Sequence, residues 1–421
     1  MLPLQSLLGL GVLIALGWAM SENRKNISWK AVGMGVLLQI ALAWPLLNLE
    51  AARSFFGVLN NGVNALDAAT RQGTGFVFGY VGGADAPFLV KESASTFVLG
   101  FQALPLILVI SALSALLFHW KIIQPVVKAF AWVLQRTLGV SGPAGVATAM
   151  SVFVGMTESP LVVRPYLRAE SRAALFVIMT AGMATVSGTV MVLYATFLKD
   201  VVPNALGQIL TASIINAPAA IVAAFLMIPE DPARAKTVNA STDISAGEPG
   251  DSMMSVIARG TTEGVGLVIN VIAMLIVLVA LVSLANSIAG LLPDVAGAPL
   301  TLQRVFGWVM APIAFCLGLP LSEIATGGAL LGTKAVLNEL IAYIDMSHLP
   351  PEALSPRSRL IMTYALCGFA NFSSVGILIG GLGAMVPERR REIIELAPKT
   401  LISGTLATCL TGAVVGLLVW P

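Results

Sequence analysis

Long stretches of the chain carry no Asp, Glu, Lys or Arg, and their lengths predict its architecture. A helix that crosses a bilayer needs about 20 consecutive apolar residues. Leu2 to Met20 reaches that length without a basic leader or a small-residue cleavage site, so it reads as a retained helix and not a signal peptide. Ala31 to Leu49, Phe97 to Phe118, Ala173 to Leu198, Val201 to Pro229, Val265 to Pro293, Leu360 to Pro387 and Thr400 to Pro421 follow, giving eight predicted crossings. The segment ahead of Phe97 is more polar, and no crossing is expected there. Lys121 to Arg136 is amphipathic, and Trp132 with its basic neighbours suits a helix lying in the membrane interface.

Two apolar segments fit the spanning pattern badly. Thr137 to Tyr166 is interrupted by Gly155-Met156-Thr157-Glu158-Ser159-Pro160, and Val305 to Tyr343 by Gly318-Leu319-Pro320-Leu321-Ser322-Glu323. Backbone at such breaks is unsatisfied in lipid, so each must be buried in protein or line a cavity. Both are expected to be re-entrant hairpins with the breakers at their tips; the competing reading is a kinked ordinary helix.

Short cytoplasmic loops collect Lys and Arg. Placing Arg24, Lys25 and Lys30 inside puts the N-terminus outside. The inner side then gathers Lys121, Lys128, Arg164, Arg168, Arg172, Arg234, Lys236, Arg259 and Arg389 to Arg391. Fewer fall opposite, mainly Arg53, Arg71, Lys91, Lys199, Arg304, Arg357 and Arg359. In this orientation the hairpins enter from opposite sides. Each is followed by two helices, the first with a small, hydroxyl-rich centre: Met183-Ala184-Thr185-Val186-Ser187-Gly188-Thr189 and Gly368-Phe369-Ala370-Asn371-Phe372-Ser373-Ser374. Hairpin, interrupted helix, helix thus recurs with inverted topology over residues 137–229 and 303–421. Inverted repeats of broken helices are a transporter architecture with sites near the midplane. Glu230 to Asp251 reads as a flexible connector.

Composition agrees and narrows the chemistry. Charged residues are 11% of the 421, where a soluble domain has about 25%. Apolar residues are 57% and mean hydropathy is +0.88, so the lipid bilayer is the expected surroundings. A net charge of +2 leaves no footprint for nucleic acid. His119 and His348 stand apart, which leaves histidine-based zinc and triad chemistry poorly supplied. Cys316, Cys367 and Cys409 read as small core residues.

An ionisable group at mid-helix costs about 2.5 to 3.5 kcal/mol on insertion scales, so each needs a reason. Glu158 and Glu323 at the expected tips, and Glu339 in the descending arm of the second hairpin, stand out. Facing a wet cavity, such carboxylates accept hydrogen bonds from a polyhydroxylated or heterocyclic solute, while hydroxyls and freed carbonyls hold a cation. The structural alternatives are that Glu323 caps its second arm, that Glu339 pairs with Lys334 or Arg304, and that Thr185, Ser187 and Thr189 bond back to helical carbonyls.

At these residues the chain resembles the concentrative nucleoside transporters. Gly155-Met156-Thr157-Glu158-Ser159-Pro160-Leu161-Val162-Val163-Arg164-Pro165-Tyr166 is similar to the family's G-Q-T-E-A-P-L motif and its R-P-Y sequel. Asn338-Glu339-Leu340-Ile341-Ala342-Tyr343 resembles N-E-F-V-A-Y, Leu354 to Ser358 matches L-S-P-R-S, and Ala365 to Ser374 matches A-L-C-G-F-A-N-F-S-S. The resemblance implies a trimeric importer in a bacterial cytoplasmic membrane, with scaffold residues 1–136 and 230–302 around a mobile part made of the two repeats. It further implies nucleobase contacts at Met156, Thr157 and Glu158, apolar packing at Val190, ribose contacts at Glu339, Asn371 and Ser374, and Phe369 beside the base. Positions similar to the sodium site are Ser151, the carbonyls of Val154 and Val186, and the Thr185 hydroxyl.

Two departures matter. Met156 stands where the family usually has Gln, removing an amide from the base edge, and Ser151 stands where sodium-coupled members have Asn. Ser is the shorter ligand for a hard cation, so protons carried by Glu158 compete with sodium as the coupling ion. The expected function is secondary active nucleoside uptake; the runner-up is a cation-coupled carrier of another small polar solute, such as a modified nucleoside or nucleobase. An intramembrane hydrolase using Ser373 or Ser374 lacks a base within reach, and a passive channel would not accumulate solute.

Overall fold

A computed structural model describes residues 2–89, 96–230, 252–295 and 297–420. The expected connector, residues 231–251, lies outside the described residues, as do Lys91, Arg234, Lys236 and the side chain of Arg53. Among the described residues the secondary structure is helical, apart from one isolated bridge between Val295 and Ala298.

Among the described residues seventeen α-helices run in chain order: α1 (Leu2–Ala19), α2 (Trp29–Asn48), α3 (Glu50–Phe78), α4 (Leu106–His119), α5 (Ile123–Leu138), α6 (Gly142–Met150), α7 (Arg164–Leu167), α8 (Arg172–Ala184) and α9 (Gly188–Leu198). Then come α10 (Ala205–Met227), α11 (Met253–Ala289), α12 (Leu302–Cys316), α13 (Ile324–Val336), α14 (Glu339–His348), α15 (Pro356–Leu366), α16 (Phe372–Met385) and α17 (Arg390–Leu418). Among the described residues, seven helical stretches are long and apolar enough to cross a membrane. They match seven of the eight expected crossings. The eighth segment, Leu360 to Pro387, is split into α15 and α16, each too short to span 30 Å at 1.5 Å per residue. Arg172–Leu198 is likewise split, at Thr185 to Ser187, so both hydroxyl-rich centres are true helix breaks.

The polar segment in which no crossing was expected forms α3, a 29-residue amphipathic helix. The amphipathic stretch near Trp132 forms α5, whose Val127, Ala131, Leu134 and Leu138 are buried while Trp132 is exposed. Helices α10 and α17, the last of each repeat, pack on each other and form the centre, with α1, α2, α8 and α15 around them. Helix α11 stands at the periphery. It meets α4 closely where Gly260 and Gly264 lie over Ala112, Ala115 and Ser111, and it exposes Ile269, Ile276, Leu281 and Ile288 elsewhere.

The two hairpins open toward opposite ends of α1. Around the first, Ser141 caps α6 and donates to both Glu170 oxygens at 3.0 and 2.9 Å, while Ser171 caps α8. This mouth lies at the C-terminal end of α1, where Arg172 binds Glu22 at 3.0 Å. The Gly318 to Glu323 breakers turn the chain between α12 and α13, which pack antiparallel: Gly328 lies over Ala311, and Gly332 over Phe306 and Gly307. They do not form a buried tip, however. Leu321 is 81% exposed, and the turn sits at the N-terminal end of α1, where Gln5 donates to the Phe315 and Leu319 carbonyls and Ser6 to that of Leu317.

The tip is Leu337-Asn338, a break that the sequence reading placed inside a descending arm. Asn338 ends the run as an N-cap, its side-chain oxygen accepting from the Ile341 N–H at 3.0 Å. Helices α13 and α14 then form the second hairpin. Its mouth is fastened where the Glu323 carboxylate accepts from the backbone N–H (3.1 Å) and hydroxyl (3.2 Å) of Ser355, the N-cap of α15. Glu323 therefore makes no cap bond to its own helix. Arg357 seals the same end by donating to the carbonyls of Gly318, Gly416 and Val419.

Candidate functional site

Glu339 is the first residue of α14, delivered to the protein interior by the Leu337-Asn338 break, and is 4% exposed. Its carboxylate is held from two other elements. The Tyr194 hydroxyl of α9 donates to one oxygen at 2.5 Å and the Asn371 amide donates to the other at 3.0 Å. A buried carboxylate left unpaired would be very costly, so two donors from two interrupted helices explain how it is tolerated. It pairs with neither expected cation. Lys334 donates to the Ala365 carbonyl and the Thr408 hydroxyl, both at 2.9 Å, and Arg304 donates to the carbonyls of Val295, Ala298 and Pro299.

Asn371 is the N-cap of α16. Its side-chain oxygen accepts from the Ser374 N–H at 2.8 Å while its amide serves Glu339. The break therefore places Glu339, Asn371 and the Ser374 backbone N–H in one hydrogen-bonded group. Phe369, half-buried in the same break, packs against both large hydrophobic cores.

The first hairpin brings a different set. Its descent ends in turns after α6, and the Phe153 carbonyl accepts from the Gly188 N–H at 2.9 Å, joining the tip to the break between α8 and α9. Met156 is buried against Gly182, and the Thr157 methyl faces Gly381 of α16. Gly381 lies ten residues along the chain from Asn371, about 15 Å of helix. Glu158 is exposed, and its carboxylate makes no hydrogen bond or ion pair among the described residues and lies beside Gly155. Val190 is buried in the first turns of α9. No hydrogen bond joins the Met156 to Glu158 set to the Glu339 set among the described residues.

The residues expected near a cation fall on the two segments that the Phe153 to Gly188 bond joins: Ser151 and Val154 lie close in sequence to Phe153, and Thr185 and Val186 precede Gly188. Ser151 donates to the Thr148 carbonyl and Thr185 to the Ala181 carbonyl, both at 2.8 Å, so the back-bonding weighed for Thr185 is present. Such bonds use the hydroxyl proton and leave oxygen lone pairs free, which suits a hard cation. Ser187 and Thr189 instead bond each other at 2.9 Å. The donor set of hydroxyls and carbonyls fits a sodium ion and contains no group of three or more His, Cys, Asp or Glu among the described residues.

Sequence reasoning passed over Tyr194, Ser213 and Asn216, neutral polar residues inside apolar runs that carry no charge signal. Ser213 of α10 exchanges hydrogen bonds with both the N–H and carbonyl of Val186 at 3.3 Å. A clue was available for Tyr194 alone: a phenol within an otherwise aliphatic helix needs a partner.

Family models cover most of the chain: the Na+ dependent nucleoside transporter N-terminus over residues 8–81, a nucleoside-recognition gate over 100–201, and the Na+ dependent nucleoside transporter C-terminus over 208–416. The uncharacterised transporter YutK of Bacillus subtilis is 36% identical over 99% of both chains. Nucleoside permease NupC of Helicobacter pylori is 32% identical, covering 98% of this chain and 97% of that one. Sodium/nucleoside cotransporter 1 of Rattus norvegicus is 31% identical, matching 99% of this chain but 64% of that longer one. Among solved structures, CNTnw in an inward-facing substrate-bound state is 34% identical with a TM-score of 0.86, covering 99% of this chain and 98% of that one. Transporters, not enzymes, account for these matches, and with them the chain is an integral membrane protein of the concentrative nucleoside transporter family.

Proposed function

We propose that the protein imports nucleosides across a bacterial cytoplasmic membrane in symport with sodium or protons. The observation that carries this reading is Glu339, a buried carboxylate whose two donors, Tyr194 and Asn371, come from two different broken helices. A vicinal diol is one of few uncharged groups that could replace such donors without stranding the charge. In this reading Glu339, Asn371 and Ser374 bind the ribose. Phe369, Val190, Met156, Thr157 and Glu158 meet the base once the hairpin tips close on it. Ser151, Val154, Thr185 and Val186 hold the cation. The names of the Helicobacter and rat relatives, a nucleoside permease and a sodium/nucleoside cotransporter, support the substrate class.

The arrangement supports alternating access: two hairpins open toward opposite ends of α1, their tips reaching inward, which suits sealing one side while the other admits solute. CNTnw structures in inward-facing and outward-facing states match this chain with TM-scores of 0.86 and 0.85, which supports a motion that preserves most of the fold. We assign residues 1–136 and 230–302 to the scaffold and 137–229 and 303–421 to the moving repeats. The N-terminus is outside, the eight crossings include the broken ones, and three copies assemble into a homotrimer. A second reading, transport of a modified nucleoside or nucleobase, is favoured by one feature: Met156, buried against Gly182, presents a thioether where an amide would read the base edge.

Uptake of labelled nucleosides into proteoliposomes tests the proposal. Accumulation against a gradient is expected in wild type, and Glu339→Gln is expected to lower uptake efficiency by roughly 10- to 150-fold, as loss of a charged hydrogen-bond partner worth about 1.5 to 3 kcal/mol requires. Competition with unlabelled bases and modified nucleosides separates the two substrate readings. Replacing sodium with choline at fixed pH, then collapsing the proton gradient, identifies the coupling ion. Equal uptake by wild type and Glu339→Gln would remove that residue from the site.

A further inference from the structure

Helix α10 touches both helix breaks with one side chain. Asn216 is fully buried, and its amide donates to the carbonyl of Ala184, the last residue of α8, at 2.8 Å and to that of Cys367, the C-cap residue just after α15, at 2.6 Å. The last carbonyls of a helix lack partners within it, and here one amide serves one such carbonyl from each repeat. The breaks also touch directly: Gly368 has φ +159°, and a Cβ there would lie 2.7 Å from the Ala184 carbonyl oxygen. Ser213, three residues before Asn216 and so on the same face of α10, holds Val186. One helix face thus fixes the Thr185-Val186 backbone and the backbone leading into Phe369 and Asn371.

We infer that Asn216 is a positioning residue that couples the cation half of the site to the nucleoside half. This rests on the function proposed above. The two donors of one planar amide have a fixed spacing, so a displacement of the Ala184 carbonyl when a cation draws in the Thr185-Val186 break must be shared by the Cys367 carbonyl or break a bond. A residue present for stability would not need both carbonyls on one group. Its side-chain oxygen is buried without a hydrogen-bond partner among the described residues. Coupling of this kind is reciprocal: the factor by which cation tightens nucleoside equals the factor by which nucleoside tightens cation.

Full-length protein in proteoliposomes supplies the test, with tritiated uridine and adenosine as probes and half-saturating concentration measured at low and at saturating coupling cation. In wild type the half-saturating nucleoside concentration falls several-fold as the cation rises. Asn216→Ala is expected to bring that ratio to within about twofold of unity while nucleoside exchange at equal concentrations persists. Asn216→Ser, which keeps a single donor, should fall between. Ser213→Ala, which leaves both amide bonds in place, should weaken the ratio less and serves as the readout should the alanine variant at 216 not fold. A wild-type ratio in both Asn216→Ser and Ser213→Ala overturns the inference, as does a ratio of one in wild type. Absence of any nucleoside uptake by wild type would instead overturn the proposed function.

Discussion

Glu339 owes its burial to groups that have no charge of their own. The Tyr194 hydroxyl and the Asn371 amide each give a charge-assisted bond, of the kind worth about 1.5 to 3 kcal/mol. Tyr194→Phe keeps the ring and its packing on Tyr343 but removes one donor. Uptake efficiency should drop roughly 10-fold, less than for Glu339→Gln, as nucleoside titrations of initial rate will show; an unchanged efficiency would deny Tyr194 a part in holding the carboxylate. A second acid, Glu170, sits at the mouth of the first hairpin, outside the membrane-spanning helices. Burial pushes its carboxyl up from the ordinary value near 4.5, against the pull of the Ser141 hydroxyl. Because the folded state then holds the proton more tightly, its contribution to stability is present at low pH and is lost as the pH rises from about 4.5 through the folded titration point. Glu170→Gln, which still accepts from Ser141, should raise the unfolding temperature at neutral pH and flatten its fall between acid and neutral pH in detergent. Charge scarcity made Glu158 and Glu339 visible in the sequence, because a lone carboxylate in an apolar run must be explained. The same filter hid Tyr194 and Asn216, which cost nothing until their positions are known.

At the level of elements, the interrupted helices were legible because glycine and hydroxyl residues cluster at both breaks. The tip of the second hairpin was not. Gly318 and Pro320 advertise a turn and do make one, but at the surface; the break that matters, Leu337-Asn338, contains neither glycine nor proline. Its only signal is an asparagine cap followed directly by the acid, a pattern that is clear once Asn338 is seen to accept from Ile341. Helix α3 was passed over because its polar residues shorten every charge-free run, although they fall on one side. The crossing of the two breaks gives a sharp test of their importance. Gly368→Ala places a methyl 2.7 Å from the Ala184 carbonyl oxygen in a backbone conformation that favours glycine. A loss of about 2 kcal/mol or more is expected for overpacking and strain together, read as a lower unfolding temperature with uptake falling alongside it. A neutral substitution would mean that the breaks can separate freely.

Across the whole molecule, charge is sorted by end. Glu22 meets Arg172 and Lys399 at one end of α1, with Glu392 and Glu395 of α17 joining them, and the Arg172 bond holds the Glu22 carboxyl below its usual range. If that end is cytoplasmic, Lys25→Cys will react with an impermeant maleimide only after membranes are opened, whereas Glu352→Cys at the second mouth will react in intact cells. Both positions are exposed, and the native Cys316, Cys367 and Cys409 are buried, so the background is quiet. The reverse labelling pattern would invert the assigned orientation. The laced hairpin mouths carry a mechanical consequence. Ser141 with Glu170, and Glu323 with Ser355, tie each hairpin to the start of the broken helix that follows it. Their acids and hydroxyls stand at opposite ends of the two hairpins, so the fastening persists although its donor and acceptor are exchanged. A laced mouth is a poor hinge, and a hairpin so tied does not swing as a flap. In the alternating access proposed above, each hairpin is therefore expected to travel as freight with its own broken helix, leaving the bending to segments that bear neither clasp nor crossing.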